Sequence, residues 1–180
     1  MIYVFLADGF EEVEALGVID VCRRAGLKVR TVSIMDREMV EGAHGIGVLA
    51  DSQLGDDSYK DAEMLFLPGG MPGAANLNDC KELTELIRTH YEKGTPLAAI
   101  CAAPMVYGNM GLLEGKKVTC YPGFEQYLKG ATCTGKLTER GGQFFTGKGP
   151  GAALQLGFDI VSHFCGAEVA EGLKQGMMCG

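Results

Sequence analysis

A thiol between small residues is the most reactive arrangement in the sequence. Cys101 follows the apolar run 96–100 and precedes Ala102, Ala103 and Pro104. A nucleophile at a tight turn between a strand and a helix needs small neighbours, and a helix N-terminus favours the charged thiolate. The pattern predicts that Cys101 is a nucleophile with a lowered pKa. The alternative is a cysteine that is simply buried in the core.

Two further segments could supply groups to such a nucleophile. Gly69 and Gly70 follow an apolar run, and their backbone N–H groups have no side chain in front of them, so they could stabilise an oxyanion. An ordinary turn that ends a strand has the same sequence.

Three glutamates begin the first predicted helix, and one of them is a candidate acid. Glu14 shares an apolar helix face with Val18 and Val21, where a carboxylate is costly unless it has a purpose. Glu11 also fits a face with Val18, so the spacing leaves the choice open. Acidic residues in a first helical turn also complement the helix dipole without any further role.

The composition excludes several classes of partner. The net charge is −7 and the pI is near 5.0, which argues against nucleic acids and anionic membranes. No apolar run is long enough to cross a bilayer, and the opening residues resemble a strand rather than a signal peptide. The seven cysteines form no CxxC pair, so we expect reduced thiols, no metal site, no cofactor and a cytoplasmic location.

Strands that alternate with helices predict one doubly wound α/β domain with a mostly parallel sheet. Strands are predicted at 2–7, 28–34, 63–67, 96–100 and 117–120, with two short β stretches in 36–51 and a hairpin over 137–146. A first helix is predicted after Gly9 and up to Ala25. Further helices are predicted over 79–93, from Cys101 to Met110, and over 124–128, 150–165 and 168–177. In such folds, functional groups collect at the carboxyl ends of the strands.

The motifs DGFEEVE, LPGGMPGA and AAICAAP, taken together and in this order, resemble the ThiJ/PfpI family of the class I glutamine amidotransferase-like superfamily. The resemblance continues through KVTCYPGFE and TGKGPGAALQLGF and so covers residues 1–180. It implies a flavodoxin-like single domain with helices on both faces of the sheet, usually a homodimer.

The resemblance also implies roles for individual residues. Cys101 would be the reactive cysteine, and Glu14 rather than Glu11 would contact it as a protonated acid. The backbone around Gly70 and Ala102 would face the oxyanion site. Because an ionised carboxylate would oppose a thiolate, these roles require a raised Glu14 pKa.

The sequence departs from the family pattern at two positions. Ala102 stands where the protease-like branch has a histidine, which argues against peptidase chemistry. Tyr121, before Pro122, stands where the deglycase-like branch has a histidine. A phenol, with a pKa of about 10 in model peptides, donates hydrogen bonds but is a poor base at neutral pH. His44, in a glycine-flanked loop, is an alternative base; the other interpretation is an ordinary surface histidine.

Three functions are compatible with these residues. The first is an enzyme of the glyoxalase or deglycase type, in which Cys101 attacks a small reactive carbonyl compound and forms a hemithioacetal. The second is a redox sensor or chaperone-like dimer that uses reversible oxidation of Cys101. The third, an amidohydrolase or intracellular peptidase, is the weakest because no histidine adjoins Cys101.

Overall fold

A seven-stranded sheet forms the centre of the protein, seen here in a computed structural model that describes residues 1–179. The strands are β1 (Ile2–Leu6), β2 (Val29–Ser33), β3 (Met39–Glu41), β4 (Gly47–Leu49), β5 (Ser52–Gln53), β6 (Met64–Leu67), β7 (Leu97–Ile100), β8 (Lys117–Val118), β9 (Thr132–Cys133), β10 (Thr138–Gly141) and β11 (Phe144–Gly147). The order in the central sheet is β10-β11-β7-β6-β1-β2-β5, and only the β10–β11 pair is antiparallel.

Helices cover both faces of this sheet. They are α1 (Glu12–Arg24), α2 (Gly73–Asp79), α3 (Lys81–Glu92), α4 (Pro104–Asn109), α5 (Ala153–Cys165) and α6 (Ala167–Gly176). Alternate residues of β1 point to opposite faces: Val4 packs in a core with α1, α5 and α6, and Phe5 in a core with α2, α3 and α4. Strands buried on both faces explain the continuous apolar runs in the sequence.

The predicted class, a flavodoxin-like doubly wound α/β fold in a single domain, is confirmed. The hairpin around Gly141 and Gly142 is also confirmed. No helix within the described residues 1–179 combines the length and the apolar character needed to cross a membrane.

One helix was missed, and two local predictions were wrong. Helix α2 was not predicted, because Pro72 and Gly73 are typical of a turn; Pro72 precedes the helix, and Gly73 packs so closely on Phe10 that a side chain would not fit. The predicted strand 117–120 is only β8, which pairs with the short β9 outside the central sheet. The predicted helix 124–128 is a single 3-10 turn over Glu125–Tyr127, too short to show a helical period.

Candidate active site

Cys101 directly follows β7 and has a left-handed backbone conformation, with φ at 64°. Its N–H donates to the carbonyl of Gly147 in β11, and its own carbonyl accepts a hydrogen bond from Tyr121 N–H, both at 2.9 Å. A left-handed non-glycine residue costs on the order of 1–3 kcal/mol, and such strain is concentrated at functional sites. The Cys101 side chain is partly exposed, so reactants can reach it.

Glu14 of α1 is completely buried beside Cys101. Its Oε2 accepts a hydrogen bond of 2.8 Å from the N–H of Gly69, and its carboxyl group contacts the Cys101 thiol. Oε1 is buried and has no hydrogen-bond partner among residues 1–179. Burial raises the pKa of Glu14 to about 7, although the Cys101 contact and the Gly69 N–H act in the opposite direction. Glu14 therefore has the raised pKa that a proton donor to the sulfur needs.

Two backbone N–H groups, from Gly70 and Ala102, point at the Cys101 sulfur and favour its charged form. Gly70 has φ at 89°, and a side chain there would collide with the backbone of Gly9 and Glu11. Gly69 differs from the expectation, because its N–H already donates to Glu14 and does not face the sulfur. A Cβ at Gly69 would lie 2.6 Å from both the Cys101 Cβ and Glu14 Oε2. The absence of a side chain at Gly69 thus leaves space for Cys101 and Glu14 to lie side by side.

The ionisation of Cys101 differs from the prediction of a low-pKa thiolate. Burial, followed by the adjacent Glu14 carboxyl, raises the pKa of Cys101 to about 12, against the opposing effect of the Gly70 and Ala102 N–H groups. Helix α4 begins only at Pro104 and has six residues, so its dipole is small. Two negative charges in one buried site disfavour each other, and the groups titrate as a pair. The Cys101 thiolate is therefore less disfavoured while Glu14 keeps its proton than after Glu14 ionises.

The raised Glu14 pKa predicts how stability depends on pH. Between pH 4.5, the ordinary value, and about 7, the folded protein binds more protons at Glu14 than the unfolded chain does. The contribution of Glu14 to stability is therefore fully present below this range and is lost as the pH rises through it. Across this pH range, the free energy of unfolding of the wild type should drop by about 3 kcal/mol more than that of Glu14→Gln, because a glutamine side chain does not titrate.

Urea denaturation of both proteins at several pH values from 4.5 to 8 measures this difference. Parallel stability curves for the two proteins would contradict a raised Glu14 pKa.

His44 lies in the loop between β3 and β4, and the structure brings it to Glu12 rather than to Cys101. Its Nδ1 lies 2.8 Å from Glu12 Oε2 and 3.5 Å from Glu11 Oε2. The hydrogen bond with Glu12 and both negative charges raise the pKa of His44. The His44 ring is largely exposed, and its protonated form is the one that this carboxylate pair favours.

Glu12, which the sequence analysis left unassigned, holds this loop in place. It is almost fully buried and accepts hydrogen bonds from the His44 N–H at 2.7 Å and the Ile46 N–H at 3.4 Å. Burial acts to raise its pKa, but these bonds and the His44 ring lower it overall. No local spacing identified Glu12, because its partners are more than 30 residues away.

Tyr121 reaches the site through its backbone. Its N–H donates to the Cys101 carbonyl, and its half-exposed ring lies against the turn at Gly149. A cavity of about 330 Å³ lies beside this ring, lined by Tyr121, Pro122, Leu137, Lys148 and residues 149–152. This cavity is mostly apolar, and Cys101 is not among its lining residues.

Comparison with known proteins identifies similar chains over most of the sequence. The family model "DJ-1/PfpI family" matches residues 1–163. "Protein DJ-1 homolog B" of Arabidopsis thaliana is 38% identical over 92% of this chain, which spans only 38% of that relative. "Glutathione-independent glyoxalase DJR-1.2" of Caenorhabditis elegans is 31% identical over 91% of this chain and 87% of its own length. The solved structure "Toxoplasma gondii DJ-1, oxidized" superimposes with a TM-score of 0.94 at 31% identity, covering 98% of this chain and 97% of that one.

The match of the family model and the similarity to these relatives confirm the resemblance found in the sequence. The chain belongs to the DJ-1/PfpI family.

Proposed function

We propose that the protein converts small reactive carbonyl compounds, such as methylglyoxal, through Cys101. The observation that carries this proposal is the arrangement at the sulfur, where a partly exposed thiol meets two backbone donors and a buried carboxyl with a raised pKa. A relative of similar length is named a glutathione-independent glyoxalase, which supports the same chemistry.

Each group has a role in the proposed reaction. The Cys101 thiolate attacks the aldehyde carbon, and the N–H groups of Gly70 and Ala102 stabilise the oxyanion that develops. Glu14 passes its proton to that oxygen, which gives the hemithioacetal. The ionised Glu14 is then able to take a proton from the former aldehyde carbon and return it to the neighbouring carbon. The hydroxyl proton of the hemithioacetal moves at the same time to the former ketone oxygen, and a thioester of lactate results. Water cleaves the thioester, so methylglyoxal and water become lactate with no net oxidation.

The test is an assay of the purified protein with methylglyoxal in the absence of glutathione. Lactate formation in proportion to enzyme concentration supports the proposal, whereas no lactate above the buffer rate would exclude methylglyoxal as a substrate.

We expect Tyr121 and His44 to have smaller roles in turnover than Cys101 and Glu14. Tyr121→Phe removes only the phenol, while the backbone bond to Cys101 remains, so turnover should fall less than about tenfold. His44→Ala should have a similarly small effect, because the His44 ring pairs with Glu12. Initial rates with methylglyoxal measure both variants. A loss of 100-fold or more in either would make that residue the proton carrier in place of Glu14.

A second candidate function is reversible oxidation of Cys101. The N–H groups of Gly70 and Ala102 that favour a thiolate would also bind the oxygen of a sulfenate. A similar solved structure is described as oxidised, which supports this alternative. After mild peroxide treatment, mass spectrometry should find added oxygen on Cys101 well before Cys80. Equal oxidation of the two residues would argue against a sensor.

We also propose a homodimer in the cytoplasm. Exposed apolar side chains on α1 and at the start of α5, such as Val13, Leu16 and Leu154, lie close to one another, because Gly17 of α1 packs near Leu154. Such a patch suits a second copy of the chain. Light scattering in solution tests the dimer, and a monomeric mass would contradict it.

The proposed location in the cytoplasm is supported by the seven free thiols, which suit a reducing compartment.

A further inference from the structure

Two cysteines outside the proposed site, Cys120 and Cys133, lie against each other. Strand β9 pairs with β8 so that Cys133 stands opposite Val118. Cys120 comes two residues after Val118, just beyond the end of β8. The thiol of Cys120 contacts that of Cys133, and both cysteines are free.

The two thiols differ in their access to solvent. Cys133 is exposed, whereas only 4% of Cys120 is accessible. Burial raises the pKa of Cys120 to about 12. Burial also raises the pKa of Cys133, but the hydrogen bond from Cys120 acts against it. An external reagent therefore meets Cys133 first, and Cys120 is placed behind it to attack the modified sulfur.

This pair adjoins the Cys101 site through the backbone. Cys120 immediately precedes Tyr121, whose N–H donates to the Cys101 carbonyl at 2.9 Å. A covalent bond from Cys120 to Cys133 would tie the segment that carries Tyr121 to β9.

We propose that Cys120 and Cys133 form a reversible disulfide, a second redox-modification site besides Cys101, with low-molecular-weight disulfides such as oxidised glutathione as the oxidant. The Cys133 thiolate attacks the glutathione disulfide, which forms a mixed disulfide and releases one glutathione thiolate. The Cys120 thiolate then attacks the Cys133 sulfur and releases the second glutathione. Two protein thiols lose two protons and two electrons, and one small disulfide becomes two thiols.

Peptide mapping tests this proposal directly on the full chain. The protein is incubated with oxidised glutathione, alkylated, and digested with trypsin without reduction. Cleavage after Lys117, Lys129 and Lys136 gives the peptides 118–129 and 130–136, each with a single cysteine. The expected product is these two peptides joined by a disulfide, in a protein of monomeric mass, and dithiothreitol should separate them.

Three controls make the result decisive. Cys101→Ser should form the same linked peptides, because the pair does not need Cys101. Cys133→Ser, a change at an exposed position, should leave Cys120 free and alkylated. Cys80, at the start of α3, and Cys101, after β7, should not become linked. The proposal is overturned if both peptides stay unlinked, if glutathione remains on Cys133 without transfer to Cys120, or if the linkage joins two chains.

Discussion

Replacing Cys101 by serine should reduce methylglyoxal conversion by on the order of 10³-fold or more, to the rate of the uncatalysed reaction. A serine hydroxyl stays protonated at neutral pH and is a far weaker nucleophile than a thiolate. The structure predicts little change in stability, because serine differs by one atom and the backbone bonds of residue 101 to Gly147 and Tyr121 do not involve the side chain.

The matched control for this variant is Cys80→Ser. Cys80 is also a free, half-buried cysteine, but it precedes helix α3 at a position where serine is a favourable N-cap. Lactate production by the two variants and the wild type gives the comparison. Equal losses in both variants would indicate a general effect of thiol removal, and substantial activity in Cys101→Ser would exclude the covalent route.

Replacing Glu14 by glutamine should separate proton transfer from support of the thiolate. The glutamine carbonyl is able to accept the Gly69 N–H, and its amide group is able to donate to the Cys101 thiolate, because the Glu14 side chain contacts that thiol. The glutamine side chain cannot donate or take up a proton as an acid or base at neutral pH. Turnover should therefore fall by about 10²-fold, the usual contribution of general acid–base catalysis. Alkylation of Cys101 by iodoacetamide at pH 7 should not slow, because the competing negative charge is gone.

Glu14→Ala is the companion variant, since it removes both the donor and the acceptor. Cys101 in this protein should be alkylated more slowly than in Glu14→Gln, because no side chain donates to its thiolate. Mass spectrometry of the tryptic peptide 94–116, which contains Cys101 alone among the cysteines, follows the reaction. Unchanged turnover in Glu14→Gln would show that Glu14 does not carry the proton. If alkylation of Cys101 in Glu14→Gln slows as much as turnover does, Glu14 acts only by supporting the thiolate.

The proposed reaction and the proposed disulfide can fail independently. The first depends on Cys101 and Glu14, and the second on the contact between Cys120 and Cys133. Lactate formation with no linked peptides would leave the enzyme proposal intact, and linked peptides with no turnover would leave the disulfide intact.

The sequence by itself determined the fold class and the position of Cys101. Apolar runs, helical periods and turn residues are local patterns, and a strand followed by a cysteine and small residues is such a pattern. The same reasoning missed α2, because Pro72 and Gly73 at its start are typical of turns.

Only the tertiary structure decided which groups meet at the sulfur and how they ionise. Glu14 and Gly69 are 55 residues apart, and their hydrogen bond leaves Gly70 and Ala102, rather than Gly69, to face Cys101. The pKa values of Glu14 and Cys101 depend on burial and on each other's charge, which arise when α1 packs against the end of β7. The partnerships of His44 with Glu12 and of Cys120 with Cys133 likewise depend on contacts between distant segments, which no local pattern encodes.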